Sequence, residues 1–143
     1  MKDLVVGQVL SMKIRYNNAG VTASAKHPYL VVGIDTALNV VEIAQIDSLK
    51  GKEFKAAKKS NKTIFCDNPK ETVIDKDSYV QLDNTIRVEY FETLSDYRRQ
   101  PDTLSAGKLT SILQAYKAYH DNNQIDELKN VYMDEHEVTS LNP

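Results

Sequence analysis

The alternation of hydrophobic and polar residues predicts short β-strands through the first two thirds of the chain. Two apolar runs rich in branched residues, 28–34 and 40–46, flank the more polar residues 35–39. Such runs on either side of a turn predict a β-hairpin. Pro28 suits the first residue of a strand, because no ladder donor is missed there. We expect this hairpin to organise the fold.

Further strands are predicted on both sides of the hairpin. Residues 5–16 predict a first strand, with alternation from position 9 or 10 to 16, and 63–66 predicts a short one. Residues 77–83 and 85–91 predict two more strands or one bent strand. Short strands with little helix between them favour a small barrel or closed sandwich over a doubly wound sheet.

The last third of the chain has helical periodicity. An apolar stripe predicts a helix over 104–120 packed on the sheet; it consists of Leu109, Ile112, Leu113, Tyr116 and Tyr119. A second, acidic helix is predicted over 124–133, with Ile125, Leu128 and Tyr132 facing inward. We expect residues 134–143 to fray. The predicted organisation is one domain over 1–120 with an acidic helical tail over 121–143 that is not a separate domain.

Composition narrows the function classes. The length of 143 residues suits one domain with a real core. No apolar run approaches the roughly 20 residues that cross a bilayer, and the first residues lack the apolar stretch of a signal peptide. The single cysteine, Cys66, excludes an internal disulfide framework and a cysteine-rich zinc site. We therefore expect a cytoplasmic protein with no membrane partner. We also expect no metal and no cofactor.

Positive charge is concentrated after the hairpin, where residues 49–62 carry six lysines and one glutamate. This segment is either a solvated loop or edge strand that lysine keeps soluble, or an arm that follows nucleic-acid phosphates. Phe54 within it is either a stacking surface or a core anchor. The candidate RNA-binding residues are Lys26, Lys50, Lys52, Lys55, Lys58 and Lys59.

Polar residues at both outer ends of the hairpin form the best candidate site. Because the start of one antiparallel strand lies beside the end of its partner, we expect His27, Asp47 and Ser48 to be neighbours. Histidine takes acid or base roles near neutral pH. A histidine before a strand proline is also typical of an ordinary surface residue, and an Asp-Ser pair is also typical of a turn cap.

Several short motifs along the chain occur in a recognisable order. They are Gly7-Gln8-Val9-Leu10, His27-Pro28-Tyr29-Leu30-Val31-Val32, Ile46-Asp47-Ser48, Tyr79-Val80-Gln81-Leu82, Ile86-Arg87 and the helical ending at 104–119. In order and spacing this series resembles the MazF/PemK (CcdB-like) family of bacterial toxins. The resemblance covers roughly residues 5–120.

The resemblance implies a mainly β, α+β fold: a small SH3-like barrel of five to seven strands with a C-terminal helix. It implies a toxin-like, metal-independent endoribonuclease that cleaves single-stranded RNA to a 2′,3′-cyclic phosphate. It also implies an antitoxin protein partner and a homodimer. RNA bases would stack on aromatic residues such as Tyr16 or Tyr29.

Two residues depart from the family pattern. His27 stands where active members carry an arginine before the proline, and Asp47 stands where they carry a threonine. On this interpretation His27 and Asp47 form an acid/base pair beside Ser48, while Lys26 and Arg87 supply positive charge. The alternative is a catalytically inactive barrel that binds a protein partner, an antitoxin or another regulator.

Overall fold

The computed structural model describes residues 2–143, which form a mainly antiparallel β-sheet with a few helices. The strands are β1 (Val9–Met12), β2 (His27–Asp35), β3 (Val40–Ser48), β4 (Asn61–Ile64), β5 (Ser78–Gln81), β6 (Thr85–Glu89) and β7 (Asn130–Met133). The α-helices are α1 (Glu53–Ala56), α2 (Ala106–Asn122) and α3 (Glu135–Leu141), and 3-10 turns cover Glu92–Tyr97 and Glu127–Lys129. None of the helices within residues 2–143 combines the length and apolar character that a membrane span requires.

The predicted hairpin is confirmed, and its second strand is the centre of the sheet. Strand β3 pairs along one edge with β2. Along its other edge it pairs first with β6, from Val40 to Ile43, and then with β5, from Ile46 to Ser48. Strand β4 lies beyond β5, and β1 lies beyond β2. Strand β7 runs parallel to β6.

Both faces of the sheet are buried, which explains the nearly continuous apolar runs in the sequence. Alternation along β2 places Tyr29 and Val31 in one core and Leu30 in the other. The first core is completed by Leu94 of a 3-10 turn and Val138 of α3. The second is completed by residues of α2, whose position confirms the helix predicted at 104–120.

The predicted acidic helix over 124–133 is wrong. Residues 130–133 form β7 instead, with Val131 and Met133 fully buried. Leu128 and Tyr132, which we expected to face inward, are 52% and 50% exposed. The physical reason is that the apolar residues that are buried here alternate with period two, which is the period of a strand.

The expectation that residues 134–143 fray is also wrong. Asp134 caps α3 by accepting a hydrogen bond from the Glu137 N–H, and Val138 is fully buried. The Asn142 amide then exchanges two hydrogen bonds with the backbone of Lys13, at 2.7 and 2.9 Å. The acidic segment therefore completes the first core and covers the edge just after β1.

Other boundaries differ less. Strand β1 covers only Val9–Met12 of the predicted 5–16, since Met12 pairs with His27, the first residue of β2; beyond it the backbone of Lys13 binds Asn142, and Arg15 forms only an isolated bridge with Thr22. The strand predicted at 63–66 begins earlier, at Asn61. The alternative of two strands in 77–91 is the one observed, and both pair with β3.

Candidate functional site

The sheet divides at the open end of the hairpin. The ladder between β2 and β3 ends at the pair Tyr29 and Gln45. Beyond it, His27 pairs with Met12 of β1, whereas Asp47 pairs with Tyr79 of β5. Each strand thus continues with its outer neighbour, and space opens between the end of β2 and the end of β3.

A cavity of about 260 Å³, here called the hairpin-end cavity, occupies that space. It brings together the three residues predicted to be neighbours, His27, Asp47 and Ser48. Alternation places Ser48 on the opposite face of β3 from Asp47, but both reach the cavity at the end of the strand. The remaining lining residues are Pro28, Lys52, Ile46, Ile74, Asp75, Lys76, Ser78 and Arg99.

A larger cavity of about 480 Å³, here called the polar cavity, adjoins the first and shares Asp47 and Lys52 with it. Its other walls come from the 16–17 segment, β3, β5, the lysine-rich segment and the 3-10 turn before β7. The residues are Tyr16, Asn17, Gln45, Lys55, Lys58, Ser60, Asn61, Tyr79, Gln81, Asp83, Asn84 and Lys129. Asp47 therefore lies where the two cavities meet.

Two glutamine amides orient the carboxylate of Asp47. Gln81 Nε2 donates to Oδ2 at 2.7 Å, and Gln45 Nε2 donates to Oδ1 at 3.3 Å. Both reach it because alternate residues of a strand share a face and Gln81 lies diagonally across the β3–β5 ladder. No hydrogen bond joins His27 to Asp47 within the described residues 2–143; the His27 ring instead lies 6.1 Å from the Tyr16 ring, between centroids.

Three tyrosines surround this carboxylate and remain protonated. Burial, and then the negative charge of Asp47, raise the pKa of Tyr16 and of Tyr79. Burial followed by the charges of Tyr16 and Asp47 raises the pKa of Tyr29 strongly. The Tyr29 side chain is fully buried, and its hydroxyl has no hydrogen-bond partner among residues 2–143. These phenols therefore keep their protons and do not act as bases at neutral pH.

Unpaired cations line both cavities. Lys76 and Arg99 line the hairpin-end cavity, Lys55 and Lys58 line the polar cavity, and Lys52 lines both. In the part of the chain that the structure describes, none of these five forms an ion pair. The site therefore has positive charge available for an anionic ligand.

The structure does not bring Arg87 to this site. Arg87 pairs with Glu42 in the β3–β6 ladder, and its Nε lies 3.1 Å from Glu42 Oε1. Glu42 and Asp47 are five residues apart on β3, which is about 16 Å along the strand. Arg87 lines a separate cavity near the turn of the hairpin. The cause is the division of the outer edge of β3 between β6 and β5.

The predicted RNA-binding lysines divide into two groups. Lys52, Lys55 and Lys58 line the cavities, whereas Lys26, Lys50 and Lys59 are exposed outside them. Phe54 is 68% exposed, so the core-anchor alternative for it is wrong. The lysine-rich segment 49–62 is not only a loop, since it contains the short helix α1, which carries Lys55.

Sequence reasoning missed several residues of the site. Tyr79 and Gln81 had a usable signal, since both alternate with the buried Val80 and so share a face. Arg99 had no local signal. It reaches the cavity because its N–H donates to the Val9 carbonyl at 2.9 Å, a contact between distant parts of the chain.

No metal-binding arrangement of three or more histidine, cysteine, aspartate or glutamate side chains occurs within residues 2–143. The single thiol has no signature of a nucleophile either. A hydrogen bond to Asp77, followed by burial, raises the pKa of Cys66 and favours the unreactive thiol form.

No family model matches the chain, and no curated protein sequence matches it significantly. The function is therefore inferred from the geometry and charge of the two cavities.

Proposed function

We propose that the chain is a metal-independent endoribonuclease of the MazF/PemK type that cleaves single-stranded RNA to a 2′,3′-cyclic phosphate. The observation that carries the proposal is that His27, Asp47 and Ser48 line one cavity with Lys76 and Arg99. An acid/base pair beside unpaired cations is what cleavage of a phosphodiester without a metal requires.

The proposed fold is a small SH3-like barrel formed by β1 to β6. Support comes from the shared strand β3, which pairs with β2, β5 and β6. The packing of α2 on one face agrees with the C-terminal helix that the resemblance implies. On this interpretation β7 and α3 are additions to the barrel.

The proposed reaction moves one proton at each end of the scissile bond. The RNA 2′-oxygen attacks phosphorus and loses its proton to one member of the pair His27 and Asp47. The other member protonates the 5′-oxygen as the P–O5′ bond breaks. The products are a 2′,3′-cyclic phosphate and a free 5′-hydroxyl, so atoms and charge balance. Histidine suits either role near neutral pH.

The phosphorane that forms during this reaction carries additional negative charge. In place of Lys26 and Arg87, we assign its stabilisation to Arg99, Lys76 and Lys52, which line the cavity with His27. Asp47 is oriented for its role by Gln45 and Gln81.

Substrate binding is assigned to the polar cavity. Lys55 and Lys58 provide cations for RNA phosphates, and the Tyr16 ring provides a surface on which an unpaired base stacks. We extend the proposal to the properties that the same resemblance implies: an antitoxin protein partner, a homodimer and a cytoplasmic location.

One observation favours a second candidate, a catalytically inactive barrel that binds a protein partner. The Asp47 carboxylate is already engaged by two amide donors and makes no hydrogen bond to His27 within residues 2–143. A carboxylate held in this way is also suited to a structural role, joining β3 to β5.

The test is incubation of the purified protein with a defined single-stranded RNA in EDTA. We expect fragments ending in a 2′,3′-cyclic phosphate, and no cleavage of an RNA with a 2′-deoxy residue at each cleaved position. His27→Ala should abolish cleavage, whereas His136→Ala, at an exposed histidine in α3, should not. Intact RNA at high enzyme excess, or full activity of His27→Ala, would refute the proposal.

A further inference from the structure

We propose that the outer edge of β4 binds an extended acidic segment of a partner protein, which adds to the sheet as a further strand. The groove beside this edge shares no lining residue with either cavity of the proposed active site, although Asn61 at the start of β4 also lines the polar cavity. The inference therefore does not depend on RNA cleavage.

Strand β4 ends the sheet and pairs only with β5 among the described residues. Other edges are covered. Arg99 binds the Val9 carbonyl at the edge of β1, and the side chains of Arg15 and Asn18 bind the carbonyls of Tyr132 and Asn130 at the edge of β7. An edge strand without such cover is a template for pairing with another chain.

The direction of the backbone groups of β4 follows from one hydrogen bond. The Leu82 N–H donates to the Ser60 carbonyl at 2.7 Å, in the same register as the β4–β5 ladder. In an antiparallel ladder this orientation recurs at every second residue, so Lys62 also points its N–H and carbonyl at β5. Thr63 points both groups away from the sheet, and nothing within residues 2–143 pairs with them.

A groove of about 300 Å³ lies beside this edge, between β4 and the first turns of α2. Ile64 and Ile112 lie beneath this groove but are only 2% and 1% exposed, so its accessible apolar surface includes the Phe65 side chain, which is 58% exposed at its border. The Gly107 position is open, since a Cβ there would meet no atom within 4 Å. A strand added to β4 would direct every second side chain toward this groove.

The charge at the edge indicates an acidic occupant. Lys59 and Lys62 line neither cavity of the proposed active site, and they form no ion pair in the part of the chain that the structure describes. Lys108, also at the groove, is already bound to Glu71. A second copy of this chain paired edge to edge would bring two sets of these lysines together, which is unfavourable. An RNA strand would not use the Thr63 N–H and carbonyl as a ladder.

The mode of binding is therefore strand addition, in which backbone hydrogen bonds give affinity and alternate side chains give specificity. Thr63 supplies the donor and acceptor, the groove takes apolar side chains, and Lys59 and Lys62 attract acidic ones.

The test uses a pool of blocked peptides of about ten residues that alternate glutamate with valine, leucine or phenylalanine. Thr63→Pro removes the outward N–H without removing a bond to β5, and Thr63→Val is the matched control that keeps it. We expect the pool to bind the wild type and Thr63→Val alike, and Thr63→Pro about tenfold more weakly. Thermal unfolding verifies that both variants are folded.

Amide hydrogen exchange gives a direct readout on the wild-type chain. The Thr63 amide should exchange rapidly in the free protein and slowly with the peptide, whereas the Lys62 amide should be protected in both. The proposal is overturned if the pool does not bind at about 1 mM. It is equally overturned if Thr63→Pro binds as the wild type does, if the same peptides with lysine for glutamate bind as well, or if single-stranded RNA protects this amide instead.

Discussion

Gln81 Nε2 lies 2.7 Å from Asp47 Oδ2, and this hydrogen bond holds the carboxylate at the wall between the two cavities. The contact joins β3 to β5 at the point where β2 separates from β3. The Asp47 side chain is thus both a link between β3 and β5 and the proposed partner of His27. Substitutions at Asp47 can distinguish these two roles.

Replacement of Asp47 by asparagine should reduce RNA cleavage strongly and the stability of the fold only moderately. Asparagine keeps the shape but cannot accept a proton, so we expect RNA cleavage to fall by about 100-fold or more. The NH2 group of the new asparagine would face the NH2 group of Gln45 or Gln81, so one hydrogen bond would be lost. This loss should lower the free energy of unfolding by about 1–3 kcal/mol. Cleavage assays and urea denaturation measure the two effects.

The matched control for Asp47→Asn is Asp83→Asn, which lines the same polar cavity but pairs with Lys129 at 2.8 Å. It should leave the cleavage rate within a few-fold of the wild type. Wild-type activity of Asp47→Asn would assign Asp47 a purely structural role.

Arg99 and Arg87 should differ sharply in their effect on cleavage. Arg99 shares the cavity of His27, whereas Arg87 is paired with Glu42 elsewhere. Arg99→Gln should reduce the rate by about 100-fold, because it removes a cation that lines the cavity of His27 and that we assign to the developing phosphorane charge. Arg87→Gln, the matched control, should leave the rate unchanged. If Arg87→Gln reduced the rate and Arg99→Gln did not, the scissile phosphate would lie beside Arg87 and Glu42 and not beside His27.

The contrast between these two arginines shows which features of the site could be predicted from the sequence. The proximity of His27 and Asp47 was predictable, because a hairpin is local and its two open ends stay adjacent even though the register shifts by one residue between Val31 and Gly33. The position of Arg87 was not, because it depends on which strand pairs with each half of β3. The position of Arg99 was not predictable either, because it depends on a backbone hydrogen bond to Val9, which is distant in the sequence.

The C-terminal segment shows the same limit for the fold. Residues 130–133 are too few to distinguish a strand from part of a helix by periodicity. Their structure is decided by the free edge of β6, to which Val131 and Met133 add with buried side chains. The order of α3 is likewise decided by tertiary contacts, including that between Asn142 and Lys13.

Two buried tyrosines should respond oppositely to loss of the hydroxyl. Tyr116 donates to Glu42 Oε2, and burial followed by the Glu42 charge raises the pKa of Tyr116, so the donor is retained at neutral pH. Tyr116→Phe should lower the free energy of unfolding by about 1–3 kcal/mol. Tyr29→Phe should be neutral or slightly stabilising, since the Tyr29 hydroxyl has no partner within residues 2–143.

Chemical denaturation of the two variants in parallel provides the measurement, and each serves as the control for the other. A clear destabilisation by Tyr29→Phe would show that its hydroxyl is hydrogen-bonded in solution.

Glu71 should make the stability of the protein depend on pH in the acidic range. Its side chain is 1% exposed, accepts a 2.9 Å hydrogen bond from the Ser105 N–H at the start of α2, and lies 3.0 Å from Lys108 Nζ. Burial raises the pKa of Glu71, but the hydrogen bonds from Ser105 and Lys108 outweigh it, and the pKa falls below its usual value. The ionised carboxylate is therefore the form that stabilises the fold.

Because the folded-state pKa is lowered, this stabilisation is complete above the unfolded-state pKa of about 4.3 and is lost as the pH falls through the folded-state value. Glu71→Gln should lower the free energy of unfolding by about 2 kcal/mol at pH 7, a moderate cost because Lys108 keeps three backbone carbonyl acceptors. The difference from the wild type should shrink steadily below about pH 4. Urea denaturation across this range measures it, with Glu53→Gln, at an exposed position, as the control. A difference that stays constant with pH would mean that Glu71 acts through its shape and not through its charge.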